Sequence, residues 1–250
     1  MRALITGASS GIGLCMAKYL ASLKYDLILV GRDKKRLEEI QSSLTTNVKV
    51  IVADLADLTK VKEVYVMTKN DNIDILINNA GFGLFGKFYE TDLNSELEMI
   101  HTNVETVHLL TKLFLRDMQK RNSGYIMNVA SMAAFGPGPL MATYYATKAY
   151  VNNLTEAINE ELRRDNCNVF VCSLCPGPVD TNFNNTAGVS FSVKPMTPEF
   201  VAKYAIDSMF KGKVVIVPGF KMRFTMFIRH FASRKLIRKV TYNIQKSKKT

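Results

Sequence analysis

No run of eighteen apolar residues occurs in the sequence, so a membrane-spanning helix is not expected. The first residues, Met1-Arg2-Ala3-Leu4-Ile5-Thr6, hold neither an apolar h-region nor a cleavage site. They read as a strand entering a glycine turn, so no signal peptide is expected and the cytoplasm is the expected compartment. Cysteine is scarce: Cys15, Cys167, Cys172 and Cys175 lack metal-ligand spacing, and three of them fall in or beside one strand-like run. Reduced, mostly buried thiols and no metal site are therefore expected. Acidic residues are missing from 211–250, which carries twelve of the 33 lysines and arginines. The formal net charge of +11 thus belongs to the tail, which points to a surface contact there rather than to a basic domain. No nucleic-acid-binding signature accompanies it, and no nucleic acid is expected.

What is present is an ordinary globular composition, 47% hydrophobic and 22% charged, with no repeat or clear linker within 1–218. Short β-rich runs alternate with longer amphipathic stretches. Strands are expected at Arg2–Thr6, Asp26–Val30, Lys49–Ala53, Ile73–Asn78, Tyr125–Ala130, Asn168–Leu174 and Val214–Val217. Helices are expected near 11–23, 33–44, 57–70, 95–121, 142–165 and 197–210. Most strand candidates are apolar without clean alternation, the mark of parallel strands covered on both faces. Repeated βα units of this kind build an α/β fold, a doubly wound parallel sheet with helices on both faces. Residues 176–197, rich in Pro, Gly, Asn, Ser and Thr, read as a long loop over the sheet's carboxyl edge. Thr197 and Pro198 then suit the start of a helix.

The first strand ends in Thr6-Gly7-Ala8-Ser9-Ser10-Gly11-Ile12-Gly13, with a helix behind it. Glycines permit positive φ and close backbone approach to a pyrophosphate, and the helix N-terminus offers unpaired N–H groups. The second strand ends Val30-Gly31-Arg32-Asp33, without a carboxylate at its tip. A guanidinium there pairs with a 2′-phosphate, so NADP(H) is expected over NAD(H), provided Asp33 caps the next helix rather than turning inward. Asp54, with Leu55 beside it, would accept from an adenine amino group or serve as a helix cap. Asn78-Asn79-Ala80-Gly81 closes the fourth strand at the same edge, and its small and amide side chains allow close approach to a ribose.

Ser131 follows the fifth strand, Tyr144 and Lys148 share one face of a helix four residues apart, and Asn103 lies in the long helix before them. Carbonyl reduction needs a proton donor at oxygen as hydride reaches carbon. A free phenol, with a pKa of about 10, is too weak an acid for easy exchange, and a neighbouring ammonium is expected to lower it. Ser131 supplies a second bond to the developing oxyanion, and Asn103 could hold a relay water. Tyr145 has Ala149 at i+4, not lysine, and reads as pocket wall. Neither tyrosine has a lysine at i+6, which argues against the enoyl-reductase arrangement. The remaining alternative is a non-catalytic NADP(H)-binding scaffold.

Taken together, Thr6–Gly13, Asn78–Gly81, Asn103, Ser131, Tyr144/Lys148 and Pro176-Gly177-Pro178-Val179-Asp180-Thr181 resemble the short-chain dehydrogenase/reductase family, over about residues 1–218. The resemblance implies a Rossmann-like sheet of about seven strands and a catalytic tetrad of Asn103, Ser131, Tyr144 and Lys148. It further implies that Lys148 bonds the nicotinamide ribose, and that the turn Pro176–Thr181 holds the nicotinamide amide through Val179 and Thr181. A homodimer or homotetramer built on the helices near 95–121 and 142–165 is implied too. The expected division is a catalytic domain at 1–218 and a basic amphipathic extension at 219–250.

In that extension Phe220, Phe224, Phe227, Ile228, Phe231, Leu236 and Val240 recur largely at helical spacing among cations. Two readings stand: a helix on an anionic membrane surface, or one packed on the substrate cleft or a sister subunit. Pocket walls are expected from Phe82–Phe88 (Phe82, Leu84, Phe85, Phe88), Met132–Pro139 with Leu140 and Met141, Tyr145 and the loop Thr181–Lys194. Their apolar character suggests a hydrophobic ketone.

Overall fold

The computed structural model describes residues 1–183, 194–229 and 231–247. Seven parallel strands form one sheet: β1 (Arg2–Thr6), β2 (Asp26–Gly31), β3 (Val48–Val52), β4 (Ile75–Asn78), β5 (Gly124–Val129), β6 (Val169–Leu174) and β7 (Val215–Ile216). Their order is β3-β2-β1-β4-β5-β6-β7, with β1 registered on both β2 and β4. Chain direction across the sheet reverses between β1 and β4, which opens a crevice at the carboxyl ends of those strands.

The apolar strands alternate their side chains into two cores. Ala3, Ile5, Leu27, Leu29, Ile77 and Met127 face one side, under α1 (Gly11–Ser22), α2 (Lys34–Ser43) and α7 (Pro198–Phe210). Leu4, Ile28, Val30, Leu76, Ile126 and Val171 face the other, under α3 (Leu58–Thr68), α5 (Thr106–Arg121) and α6 (Ala142–Arg164). Side chains of Asp33, Asp57 and Thr197 cap α2, α3 and α7. A buried polar chain ties β4, β5 and two helices together: the Asn78 amide donates to Thr111 at 3.0 Å and Asn128 at 2.8 Å, and Asn128 donates to Thr155 at 3.0 Å.

The long helix expected over 95–121 is interrupted. A helix α4 (Leu93–Ile100) passes through a wider π turn, His101–Glu105, into α5. Such a turn inserts a residue without breaking the apolar stripe, so periodicity does not reveal it. Past β7 the tail folds as α8 (Phe220–Arg229) and α9 (Arg234–Lys246).

Candidate active site

The glycine turn is held open by its neighbours. Gly7 and Gly11 sit at φ of +63° and +54°, which side-chain-bearing residues rarely adopt. The Asn79 amide donates to the carbonyls of Thr6 and Gly7 at 3.0 and 3.1 Å, and the Thr6 hydroxyl accepts from the backbone of Asn79 and Ala80. Ser10 caps α1 without a side-chain bond, so the first N–H groups of that helix face the crevice. Gly13 departs from expectation. A Cβ there would run into the Gly7 carbonyl and the Asn79 amide, so Gly13 packs beneath the turn and does not line the cavity.

A cavity of about 960 Å³ runs from this turn across the crevice. Every other residue expected to touch a cofactor lines it: Ser9, Ser10, Ile12, Arg32, Asp54, Leu55, Ala80, Gly81, Pro176, Gly177, Val179 and Thr181 among them. Arg32 is exposed and pairs with Glu98 of α4 at 3.5 Å. Asp33 caps α2 by accepting from the Arg36 N–H at 3.0 Å through one carboxylate oxygen, and it also lines the cavity. Asp54 accepts from the Ala56 N–H at 3.0 Å within its own turn, while the α3 cap is Asp57.

At the other end Ser131, Tyr144 and Lys148 converge on the same cavity. Ser131 follows β5 and accepts from the Ala133 N–H at 3.1 Å. Lys148 is buried on α6 and donates to the Val129 carbonyl at 2.8 Å, with its nitrogen 6.0 Å from the Tyr144 ring centre. The expected lowering of the phenol by this ammonium does not dominate. Burial pushes the Tyr144 hydroxyl up to about 12, against the opposing pull of a Ser131 hydrogen bond. Burial pushes the Lys148 amine down to about 8. Asn103 also differs from expectation. Its side chain accepts from the Phe82 N–H at 3.1 Å and donates to the Phe82 carbonyl at 2.9 Å and to Thr147 at 3.2 Å. Fully buried in the π turn, it does not line the cavity, and its amide anchors the segment after β4.

The walls are apolar. Phe82, Met132, Met141, Tyr145 and Phe183 line the cavity, with Leu84 and Phe85 packed behind them. Phe135 joins a separate cluster with Met222 and Met226, and neither it nor Leu140 lines the cavity. Phe88, expected as a wall, is 66% exposed because its segment turns outward. Positions 184–193 of the expected wall loop lie outside the described residues. The tail contributes to the wall, in line with the cleft-packing reading, one of the two left open for it. Met222, Ile228, Leu236, Val240 and Ile244 of α8 and α9 complete the wall, and Gln245 donates to the Tyr145 hydroxyl at 2.6 Å. Their helical spacing was visible; the surface they face was not.

A family model for short chain dehydrogenases matches residues 1–189. The chain belongs to the short-chain dehydrogenase family. It is 38% identical over 192 residues to an uncharacterized oxidoreductase of Staphylococcus epidermidis, a match covering 76% of this chain and 81% of that one. Its fold is similar to that of a short-chain dehydrogenase from Sphingobium yanoikuyae in complex with NADPH, with TM-score 0.83, 28% identity and 92% of each chain covered. A short-chain dehydrogenase/reductase from Burkholderia phymatum in complex with NAD is similar too, with TM-score 0.84, 25% identity and 95% of each chain covered. This short-chain dehydrogenase is therefore an oxidoreductase with a nicotinamide cofactor, and its neighbours use either form.

The buried amine carries a stability signature. Its folded pKa, about 8, lies below the ordinary lysine value of 10.5, so the unfolded chain binds the extra proton between those values. The cost of charging it is complete below pH 8 and is released as pH rises through 8 to 10.5. We expect Lys148→Met to be more stable than wild type at pH 7, by at most about 3 kcal/mol, with the gap closing toward pH 10.5. Urea unfolding of both proteins across this range measures it, and a gap that widens with pH contradicts the assignment.

Proposed function

We propose that this short-chain dehydrogenase interconverts a hydrophobic ketone and its secondary alcohol, using NADP(H). The observation that carries the reading is the convergence of Ser131, Tyr144 and Lys148 on one cavity with the glycine turn. The residues fit a dinucleotide: Gly7 and Gly11 leave the turn bare of side chains, and a Cβ at Gly81 would lie 2.7 Å from the Asn103 carbonyl oxygen and 3.3 Å from the Lys148 nitrogen. The turn, Asn79, Ala80, Lys148 and the Pro176–Thr181 segment would hold it, and when bound it supplies or accepts the hydride.

Ser131 and Tyr144 both donate to the carbonyl oxygen, which takes up the π electron pair as the new C–H bond forms. Tyr144 passes its proton to that oxygen and becomes phenolate. A phenol raised to about 12 gives up its proton readily only to an oxygen whose charge is developing, which confines the transfer to the reacting complex. Lys148 stabilises the phenolate and, with its pKa near 8, exchanges its own proton at neutral pH to restore the hydroxyl. The reverse reaction uses Tyr144 as base.

Arg32 supports the choice of NADP(H). It stands at the tip of β2, with one oxygen of Asp33 engaged by its cap, so a 2′-phosphate would meet a guanidinium there once Arg32 leaves Glu98. For the tail, α9 follows the cleft-packing reading, while the exposed face of α8 favours the membrane reading. Phe220, Phe224, Phe227 and Phe231 form an outward stripe, and no acidic residue lies anywhere in 211–250. An anionic lipid surface complements that face. The homo-oligomer is proposed to form on α5 and α6.

We expect Tyr144→Phe to lower ketone reduction about 10²- to 10⁴-fold while NADPH still binds. Activity left intact would refute the assignment, and NADPH binding without turnover of any ketone in a broad panel would favour a scaffold. Arg32→Ala is expected to cut the preference for NADPH over NADH by roughly tenfold to a hundredfold, read as the ratio of kcat/KM values. An unchanged ratio would remove Arg32 from cofactor choice. Flotation with vesicles rich in phosphatidylglycerol should carry the protein upward in low salt, and Phe224→Ser/Phe227→Ser should abolish this; equal flotation of both proteins counts against the α8 face.

A further inference from the structure

The tail brings a cation to the substrate end of the cavity, where no acidic residue answers it. Arg229, at the end of α8, lines the cavity, and its charge acts on the Tyr145 phenol. Its Nε and Nη2 are buried and find no hydrogen-bond partner among the described residues. These two nitrogens form one edge of the guanidinium, whose parallel N–H bonds match the two oxygens of a carboxylate. A buried donor left unpaired destabilises the fold, and more so when charged. Burial accordingly pulls the pKa of Arg229 below that of an ordinary arginine.

The tail holds no anion to answer this charge. Residues 211–250 contain no Asp or Glu. The carboxylates lining the cavity are Asp33, Asp54 and Glu98 among the described residues, and all three belong to the Arg32 end, where Glu98 is already paired. Lys148 is occupied by the Val129 carbonyl. Among the described residues, Arg229 is thus the cavity cation whose guanidinium edge has no hydrogen-bond partner, suited to a monoanion.

The space around this charge is built. A Cβ at Gly136 would run into the Arg229 guanidinium, and one at Gly138 would run into the Tyr145 ring. The two glycines make room for side chains arriving from the tail and from α6. Gln245 fixes the Tyr145 hydroxyl by donating to it at 2.6 Å. The Tyr145 ring in turn lies 6.2 Å from that of Tyr144, edge to face.

We propose that Arg229 anchors a carboxylate carried by the substrate, so that the enzyme takes an apolar ketone or secondary alcohol bearing an acid group away from the reacting carbon. The unpaired edge rests against Gly136, so engaging the anion requires the side chain to turn toward the cavity. This rests on the reading of Tyr144 as the proton donor, and the test separates the two. A series of straight-chain methyl ketones ending in a carboxylic acid, each beside its methyl ester, is offered to the NADPH-bound enzyme. At the best chain length wild type should favour the acid on the order of tenfold to a hundredfold in kcat/KM, the range of a hydrogen bond to a charged group. Arg229→Met should collapse that ratio, chiefly through KM for the acid, and Arg229→Lys should keep part of it. Gly136→Ala, which displaces the guanidinium without removing it, should lower the ratio as well. An ester preferred by wild type, or a ratio indifferent to Arg229→Met and Gly136→Ala, overturns the proposal. If neither compound turns over, the proton-donor reading fails by itself. Calorimetric titration of acid and ester into the NADPH-bound protein then decides the anchor, and equal affinities overturn it.

Discussion

Desolvation of one phenol and one amine is the constraint around which the rest of the molecule is arranged. Tyr144 and Lys148 lie one turn apart on α6, both buried, and each is pushed toward its neutral form. A site so set is inert until charge develops beside it. That condition explains the carbonyl of Val129 against the Lys148 amine and the Ser131 hydroxyl near the phenol: each offers limited compensation without opening the pair to water. It also explains why the surrounding walls are apolar, since a wet cavity would erase the shifts.

The cradle at the other end solves a different problem, that of bringing backbone near a polyanion. Here side chains act mainly on the protein itself. Asn79 spends its amide on the Thr6 and Gly7 carbonyls, Gly13 makes room for that amide, and Asn103 fastens the backbone of Phe82. The groups left facing the crevice are N–H groups and small residues. The fold thus uses polar side chains as rivets and keeps the ligand-facing surface generic, which suits a family whose neighbours carry NAD or NADPH on one scaffold.

The sheet was legible in the sequence because parallel strands need apolar residues on both faces, and all seven candidate runs became strands in one parallel sheet. The glycine turn and the Tyr144/Lys148 pair were legible because their geometry is local: a strand-to-helix turn and one turn of a helix. Three things were not. The π turn at His101–Glu105 leaves the apolar period intact. The dominance of burial over the Lys148 charge depends on how deeply α6 sits, which no spacing records. The side of α9 that would meet the cavity depends on a tertiary docking, so Leu236 and Val240 marked a helix while leaving open whether cleft, sister subunit or membrane covers it.

The roof of the cavity has a consequence beyond its contacts. Because α8 and α9 belong to a stretch with twelve cations and no anions, the rim of the cavity that they form carries an excess of positive charge. Negatively charged molecules are drawn toward such a mouth and accumulate there, with an attraction that fades beyond about 10 Å at 0.1 M salt. Ionic strength would therefore set the pace of capture for anionic ligands while leaving the hydride step inside the dry cavity untouched.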